Sequence, residues 1–229
     1  MKTIGLIGGT SWVSTVDYYR IINQTVNEKL AGLNSAKIFL YSVNFEEFKK
    51  RMDENKLDES AKELISIAKK LETAGADCLL LCANTPHMFA ELVQSNIKIP
   101  LIHIAEETAR EISKHKIKKV ALLGTKFTME QTFFKEKLLT HGIETIIPAA
   151  ADRDFIHKSI FSELGKGIFT TETKNKYLEI IKKMENEGAE GIIFGCTEIP
   201  LLIKQEDCKT IIFDTAIIHA KAAVEFATS

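Results

Sequence analysis

The stretch Lys2-Thr3-Ile4-Gly5-Leu6-Ile7-Gly8-Gly9-Thr10 (KTIGLIGGT) near the start of the chain has a counterpart, KKVALLGT, at residues 118–125. Each stretch is a short apolar run that leads into glycine and threonine, which is typical of a buried strand followed by a loop. Gly8 and Gly124 are 124 − 8 = 116 positions apart, about half of the chain. Repetition at this distance predicts two similar units, one in each half.

Two further landmarks repeat in the same order. The segment ETAGAD at 72–77 is echoed by ENEGAE at 185–190, an offset of 113 residues. Cys82 is echoed by Cys196, an offset of 114, and each cysteine ends an apolar run and precedes a threonine and a proline. Chance similarity of apolar strands would not keep three landmarks in order at nearly one spacing. We therefore interpret the chain as a duplicated α/β unit.

Short apolar runs alternate with longer helical patterns along the whole chain. The periodicity predicts a helix between Asp58 and Gly75 and a similar helix over about 171–188. Strands that are apolar throughout and separated by helices predict parallel sheets covered on both faces. The predicted strands are Thr3–Ile7, Ile38–Ser42, Cys78–Leu81, Pro100–His103, Val120–Leu123, Glu144–Ile147, Gly191–Phe194 and Thr210–Phe213.

The composition narrows the class of protein. The 229 residues suffice for one large or two small domains, and 45% hydrophobic with 27% charged residues is typical of a globular chain. A formal net charge of −1 argues against nucleic acid or an anionic membrane as a partner. The apolar run at the N-terminus is too short for a signal peptide, and no run reaches membrane-spanning length. We expect a cytoplasmic protein whose four cysteines are reduced thiols.

Ligands of open parallel sheets bind at the carboxyl ends of the strands, where the loops at 8–14, 82–87, 124–128 and 196–200 should lie. Thr85 and Thr197 are predicted to cap helices that follow the two cysteines. A helix N-terminus lowers the pKa of a neighbouring thiol and offers N–H groups to an anion, which would suit a thiolate acting beside a carboxylate substrate. Either cysteine alone could equally be a small buried residue. Their equivalent places in two repeats favour function.

Other chemistries fit the sequence less well. Cys82 has His87 five positions on, and Cys196 has no second cysteine or histidine nearby, so a zinc site built from two close ligand pairs is not expected. The glycines at 5–9 do not match a dinucleotide-binding fingerprint. We expect His87 to pack or to orient a neighbour, and Trp12 and Tyr18 to belong to the core. No metal and no organic cofactor are expected.

The motifs GGTSW at 8–12, CANT at 82–85 and GCTE at 195–198 resemble those of the cofactor-independent aspartate/glutamate racemases. The resemblance extends over essentially the whole chain. It implies an α/β fold of two pseudo-symmetric parallel-sheet domains, with the active site in the cleft between them. From the duplicated units we expect residues 1–99 and 214–229 to form the first domain and residues 100–213 the second. The resemblance also implies a small amino-acid substrate and assembly as a homodimer.

The same resemblance assigns roles to individual residues. Cys82 and Cys196 would be the catalytic pair, one acid and one base, facing each other across the substrate Cα. Thr10 stands where relatives usually carry methionine and Val13 where close relatives carry glutamate, which leaves the preferred substrate side chain open. The residues implied to bind substrate are Thr10, Ser11, Met52, Ala83, Asn84, Thr85, Thr125, Lys166, Thr197 and Glu198.

The implied activity is racemisation of an amino acid, with aspartate first and glutamate or a broader range as alternatives. A related isomerase, decarboxylase or hydantoin racemase stays open, although retention of both cysteines disfavours a decarboxylase. A non-catalytic amino-acid sensor of the same fold is the alternative from a different functional class.

Overall fold

The computed structural model describes all 229 residues, which form two compact units. The first unit contains residues 1–104 and 219–229, and the second contains residues 105–218. Both junctions lie five residues beyond the boundaries expected from the sequence. At the first junction the chain still pairs with the first unit, because the Leu79 N–H donates to the Pro100 carbonyl and the Ile102 N–H to the Leu79 carbonyl, both at 2.9 Å.

The first unit is built on a parallel sheet of three strands in the order β2-β1-β3. Helices from both ends of the chain complete it. Its elements are β1 (Thr3–Gly8), α1 (Trp12–Leu30), β2 (Lys37–Ser42), α2 (Phe45–Asp53), α3 (Leu57–Thr73), β3 (Cys78–Leu81), a 3₁₀ turn (Thr85–Phe89) and α4 (Ala90–Gln94).

The second unit is built on a parallel sheet of four strands in the order β5-β4-β6-β7. The last helix begins here, and its residues from His219 onward belong to the first unit. The elements from the first junction onward are α5 (Ile104–Lys114), β4 (Lys119–Gly124), α6 (Lys126–Glu130), α7 (Thr132–Thr140), β5 (Glu144–Ile146), α8 (Ala150–Ser162), a 3₁₀ turn (Leu164–Lys166), α9 (Thr171–Asn186), β6 (Gly191–Gly195), α10 (Ile199–Leu202), a 3₁₀ turn (Gln205–Asp207), β7 (Ile211–Asp214) and α11 (Thr215–Thr228).

The predicted parallel α/β architecture is confirmed, with seven of the eight predicted strands present. The exception is 100–103, which makes only a single bridge between Leu79 and Leu101. Proline lacks the N–H that a ladder needs, and the Leu101 N–H donates instead to the Gln94 side chain at 2.7 Å. No helix of the protein has the length and apolar character needed to cross a bilayer.

The duplicated segments 72–77 and 185–190 make the same hydrogen bonds in both units. The Asp77 carboxylate accepts from the Thr3 N–H at 2.6 Å, and the Glu190 carboxylate accepts from the Lys119 N–H at 3.1 Å. In return, the N–H groups of Asp77 and Glu190 each donate to the carbonyl of that same strand residue at 2.8 Å. The acid after Gly-Ala therefore fixes the start of the central strand, which explains why this landmark recurs.

Gly9 turns the chain out of β1 towards α1 with a φ of +90°. Its N–H donates to the Thr15 hydroxyl at 2.8 Å, and that hydroxyl donates to the Ser11 carbonyl at 2.9 Å. A Cβ at this position would overlap the backbone N and O of Val43, so only glycine fits.

We predict that Gly9→Ala lowers the free energy of unfolding far more than Gly75→Ala. Both positions have a positive φ of 90–99°, which costs about 1–2 kcal/mol for alanine. Only Gly9 adds a clash with backbone, worth about another 1–3 kcal/mol. Urea denaturation of the two variants measures the difference. Equal losses would show that the loop after β1 relaxes to admit a methyl group.

Candidate active site

Cys82 lies directly after β3, at the carboxyl end of the first sheet, and is buried. Its N–H donates to the Ile7 carbonyl at 2.9 Å, and its carbonyl accepts from the Ser14 hydroxyl at 2.8 Å. The first bond ties the cysteine to β1 and the second to the first turn of α1. Pairing of β1 with β3 therefore brings the predicted Cys82 loop and the Gly-Thr loop together, within one unit.

Thr10 and Ser11 form the loop between β1 and α1. Ser11 caps α1 by accepting from the Ser14 N–H at 3.4 Å. The Thr10 hydroxyl is buried and has no hydrogen-bond partner in the protein. Because a buried hydroxyl without a partner costs about 1–3 kcal/mol, Thr10 is a strong candidate for a ligand contact.

The residues after Cys82 form a 3₁₀ turn. Asn84 is buried and lies at the N-cap position with helical backbone angles and no side-chain cap bond, and Thr85 is the first residue of the turn. The prediction that Thr85 caps this helix is therefore wrong. Pro86 occupies the first turn, as expected from its fixed φ.

Cys196 lies directly after β6 in the second unit, in the place equivalent to that of Cys82. Its thiol donates to the Glu198 carboxylate at 2.9 Å, and the Thr197 hydroxyl donates to the same oxygen at 2.9 Å. The prediction that Thr197 caps the next helix is wrong, because α10 begins at Ile199 after Glu198 and has no side-chain cap bond. Thr197 instead helps to hold the carboxylate beside the sulfur.

Thr125 lies after β4 and caps the short helix α6, with its hydroxyl accepting from the Thr128 N–H at 3.3 Å. The neighbouring Gly124 packs against β6 so closely that a Cβ there would be 2.8 Å from the Gly195 carbonyl oxygen. This approach brings the second Gly-Thr loop beside the Cys196 loop, as in the first unit.

Burial determines the acidity of both thiols. It raises the pKa of Cys82 well above that of a free thiol, with no charged group contributing. Burial also raises the pKa of Cys196, and the negative charge of Glu198 with the hydrogen bond it accepts raises it further. The expected net lowering of these pKa values is wrong, because desolvation dominates at both thiols. At Cys196 the backbone N–H groups of Glu198 and Ile199 do lower the pKa, but burial and the Glu198 carboxylate outweigh them.

A cluster of three histidines lies in the first unit, and only one of them could be anticipated. The Nδ1–H of His87 donates to the Ala83 carbonyl at 2.9 Å, and the side chain is buried, which fits the expected packing residue. The His87 ring lies 4.9 Å from that of His103 and 5.3 Å from that of His219. His219 donates to the Ile102 carbonyl and accepts from Tyr18, both at 2.7 Å.

The surroundings disfavour the charged form of two of these three imidazoles, His87 and His219. Burial lowers the pKa of His219 to about 3, and burial with the neighbouring imidazoles lowers the pKa of His87 well below its usual value. The sequence did not predict this histidine cluster, because His219 is 219 − 87 = 132 residues from His87 in the chain. No group of three histidine, cysteine or acidic side chains in the protein is arranged to hold a metal ion.

The last two predicted contacts, Met52 and Lys166, lie on elements other than these loops, and the turn that carries Lys166 packs against α10, which follows the Cys196 loop. Met52 is buried in α2 beside Arg51, which forms an ion pair with Glu63 of α3. Lys166 is exposed at the end of a 3₁₀ turn.

Comparisons with known proteins show which family and which solved structures the chain is similar to. The family model described as Asp/Glu/Hydantoin racemase matches residues 7–223. A candidate Asp/Glu racemase from Yersinia pestis has a similar structure, with a TM-score of 0.95, 45% identity and full coverage of both chains. An aspartate racemase homologue from Pyrococcus horikoshii OT3 gives 0.88 and 38%, again over both chains.

Among curated proteins, the broad specificity amino-acid racemase RacX of Bacillus subtilis (strain 168) is 27% identical over 174 residues. The match covers 73% of this chain and 72% of RacX. The family match spans nearly the whole sequence and includes both cysteine motifs. The chain belongs to the Asp/Glu/hydantoin racemase family.

Proposed function

We propose that this protein is a cofactor-independent amino-acid racemase with aspartate as its first substrate candidate. Glutamate or a broader range of amino acids is the alternative. The observation that carries the proposal is the equivalent placement of Cys82 and Cys196, each directly after the strand that pairs with the central strand of its unit. An aspartate racemase homologue and a broad specificity racemase among the relatives support the reaction class and leave the side chain open.

The two thiols would serve as acid and base. In one direction a thiolate takes the proton from the substrate Cα on one face, and the other thiol gives its proton to the opposite face. One C–H bond breaks, one C–H bond forms, and the two sulfurs exchange protonation states. The reverse reaction uses the same groups in exchanged roles, so the enzyme needs one thiol and one thiolate at the start of each turnover.

The difficulty of this reaction is the weak acidity of the Cα–H. A thiol has a reference pKa of about 8.5 and is a poor base for such a carbon. The protein must therefore stabilise the negative charge that develops on the substrate carboxylate. Polar groups beside the cysteines, namely Thr10, Asn84, Thr85 and Thr197, are the proposed donors, with Thr10 favoured by its unpaired buried hydroxyl.

The charge of the substrate would also prepare the thiols. Burial raises the pKa of both thiols and so favours their protonated forms in the free protein. The α-ammonium group of an amino acid carries a positive charge, and an opposite charge within about 4–6 Å lowers a thiol pKa. Substrate binding would then favour ionisation of one of the two thiols, with its proton released to solvent, which gives the thiol and thiolate that turnover needs.

Glu198 is proposed as the positioning residue of Cys196. The carboxylate accepts from the thiol at 2.9 Å and so fixes the direction of the S–H bond. The Thr197 hydroxyl donates to the same oxygen, which keeps the carboxylate in place. This role differs from the substrate contact that the family resemblance implied for Glu198.

We predict that Cys82→Ala and Cys196→Ala each lower kcat/KM for L-aspartate racemisation by about 10³-fold, because each removes one of the two proton-transfer groups. The measurement follows optical rotation and Cα deuterium in D₂O. Residual Cα exchange should occur with opposite enantiomers in the two variants, since each keeps a base for only one face.

Cys208→Ala is the matched control, because this cysteine is half-buried just after a 3₁₀ turn in the second unit and lies outside both motifs. It should keep the activity of the unsubstituted protein. Full activity of either the Cys82 or the Cys196 variant would reject the two-base mechanism. D-glutamate and D-aspartate in parallel assays identify the preferred side chain.

We predict that Glu198→Gln lowers the pKa of Cys196, because it removes a negative charge that disfavours the thiolate. The pH at which iodoacetamide alkylation of Cys196 is half-maximal should fall by about one unit, as followed by peptide mass spectrometry. Cys82 has no charged neighbour that raises its pKa, so its alkylation profile in the same samples is the internal control.

Racemisation should fall by about tenfold in Glu198→Gln, which keeps an acceptor oxygen, and by about 100-fold in Glu198→Ala, which does not. An alkylation profile of Cys196 that stays in place or moves to higher pH would refute the assignment of Glu198.

The cytoplasmic location, which was expected from the sequence, stays a prediction. The homodimer, which the family resemblance implies, also stays a prediction.

A further inference from the structure

Helix α6 has five residues and continues the second Gly-Thr loop. A helix this short has little stability of its own, because few backbone hydrogen bonds repay the cost of starting it. Thr125 satisfies one N–H group of its first turn, that of Thr128. The N–H of Lys126, the first residue of α6, needs an acceptor from elsewhere, since the first N–H groups of a helix have no partner within it.

That acceptor is an imidazole of helix α8. The Lys126 N–H donates to Nδ1 of His157 at 3.2 Å. Nδ1 accepts only when it carries no proton, so this bond requires the neutral imidazole with its proton on Nε2. The His157 ring is half-buried and packs edge to face with Phe161, with ring centres 5.0 Å apart. The packing holds the ring in place beside the start of α6.

Two further side chains of α8 contact α6. Arg153 pairs with Glu130 at the end of α6 at 2.9 Å, and Asp154 pairs with Lys126 at its start. Arg153, Asp154 and His157 lie within about one turn of α8, on the side that faces α6. Both ion pairs reach into solvent and therefore contribute little. The hydrogen bond to His157 differs from them because it satisfies a backbone group of the loop.

Packing connects α6 to the loop that carries the Cys196 thiol. The Thr128 side chain of α6 is fully buried, and a Cβ on Gly195 would be 3.0 Å from its methyl group. Gly195 ends β6 and immediately precedes Cys196. Because protein interiors are close-packed, a shift of α6 is transmitted through this contact to the cysteine loop.

The equivalent loop of the first unit is held without a titratable group. There the Gly9 N–H donates to the Thr15 hydroxyl at 2.8 Å, and the Ser14 N–H donates to the Ser11 hydroxyl at 3.4 Å. A hydroxyl keeps its protonation state between about pH 5 and 8, whereas histidine ordinarily titrates in that range. The two units are built on one plan, so the imidazole is a specific addition at the second Gly-Thr loop.

Building on the proposed function, we propose that His157 is a positioning residue of the racemase site, which holds the second Gly-Thr loop only while its imidazole is neutral. Protonation at Nδ1 replaces the acceptor with a second N–H donor, so the bond from the Lys126 N–H is lost. The hold on the loop is therefore present at high pH and is lost as the pH falls. Activity should decline between about pH 7.5 and 5.5, where histidine ordinarily titrates.

Asp154 offers the imidazolium an alternative partner. Its carboxylate is bonded to Lys126, which lowers the pKa of Asp154, and the charges of Arg153 and His157 lower it further. Asp154 therefore stays ionised over the range in which histidine titrates. The two cations and two carboxylates around His157 are paired with one another, as Lys126 with Asp154 and Arg153 with Glu130.

The remaining titratable groups on the elements packed against α8 lie on other sides of it. Asp152 is five residues before His157, about 140° around the helix, and the two α9 lysines that pair with it, Lys176 and Lys183, lie on that side. Tyr177 of α9 bonds to Ser159, which also lies on another side. The other groups are Lys119 of β4, which pairs with Glu144, Glu163 at the end of α8, which accepts from Thr173, and the exposed Lys166.

Nuclear magnetic resonance tests the hydrogen bond without reference to activity. In protein labelled with ¹⁵N-lysine, the Lys126 amide signal is identified by its loss in Lys126→Arg. Its proton should move upfield between about pH 8 and 5.5, with the same midpoint as the ring signals of His157. In His157→Asn it should not titrate, because Oδ1 of asparagine lies where Nδ1 does and accepts at any pH. A Lys126 amide that does not titrate in the unsubstituted protein would overturn the proposal.

Racemisation rates test the consequence for the reaction, expressed as kcat/KM of each variant relative to the unsubstituted protein at the same pH. This ratio cancels the pH dependence of the thiols. His157→Phe keeps the packing but has no acceptor, and should be about fivefold slower at about pH 8 and equal at about pH 5.5. His157→Asn should be equal at the higher pH and about fivefold faster at the lower one, since it keeps its acceptor.

His141→Asn is the matched control. This half-buried histidine of the second unit follows α7 and bonds to Glu106 of α5 at 2.9 Å, so it does not hold the loop. Its ratio should be the same at both pH values. Ratios of the His157 variants that do not change with pH would reject His157 as a positioning residue. Absence of racemisation with a titrating Lys126 amide would reject the proposed function and leave the pH-dependent bond at the loop established.

Discussion

Parallel pairing of a central strand with the strand that ends in cysteine is the constraint on which the rest of the structure depends. In the first unit Ile7 of β1 pairs with Leu81 of β3, so the Gly-Thr loop and the Cys82 loop leave the sheet side by side. In the second unit Gly124 of β4 pairs with Gly195 of β6, so the second Gly-Thr loop and the Cys196 loop also leave the sheet side by side. Each unit thereby presents a thiol, hydroxyl groups and backbone N–H groups at one edge of its sheet. Those are the components that proton transfer beside a carboxylate requires.

The two thiols share their place in the fold but not their electrostatic surroundings. The pKa of Cys82 is raised by desolvation alone. Cys196 also faces a carboxylate, which accepts its S–H and disfavours its thiolate. In the proposed mechanism, a symmetric reaction between mirror-image molecules of equal free energy would therefore use unequal acid–base groups. This inequality cannot favour one enantiomer at equilibrium, because the ratio of kcat/KM in the two directions is fixed by that equality.

The sequence was sufficient for seven of the eight predicted strands, for helices α3 and α9 and for the order of the duplicated landmarks. These features depend on local apolar patterns, as in α3, where Leu64, Ile67, Ala68 and Leu71 are buried as their spacing predicts. Trp12 was expected in the core but is 71% exposed, so this expectation was wrong. Its exposure could not be predicted from local patterns, because a large aromatic residue at the start of a helix is equally consistent with a core or a surface. The histidine cluster depends on a contact between residues far apart in the chain.

The predictions that Thr85 and Thr197 cap helices were wrong for a different reason. A threonine before a proline is typical of a helix start, but at both cysteines the chain makes only a short turn. Hydrogen bonds to neighbouring side chains then compete successfully with capping, as the Thr197 hydroxyl shows by donating to Glu198. The acidity of the thiols follows from the same geometry, since turns of this length provide little dipole to offset desolvation.

The first unit is assembled from both ends of the chain. The Lys2 N–H donates to the Ala227 carbonyl at 2.9 Å, and the buried Tyr18 hydroxyl contacts His219 of α11. Ribosomes release a chain from its N-terminus, so residues 105–218 of the second unit emerge before residues 219–229, which complete the first. The unit that is translated first is thus the last to be finished. Until residues 219–229 emerge, the surface that they cover in the first unit stays open to chaperones and to aggregation.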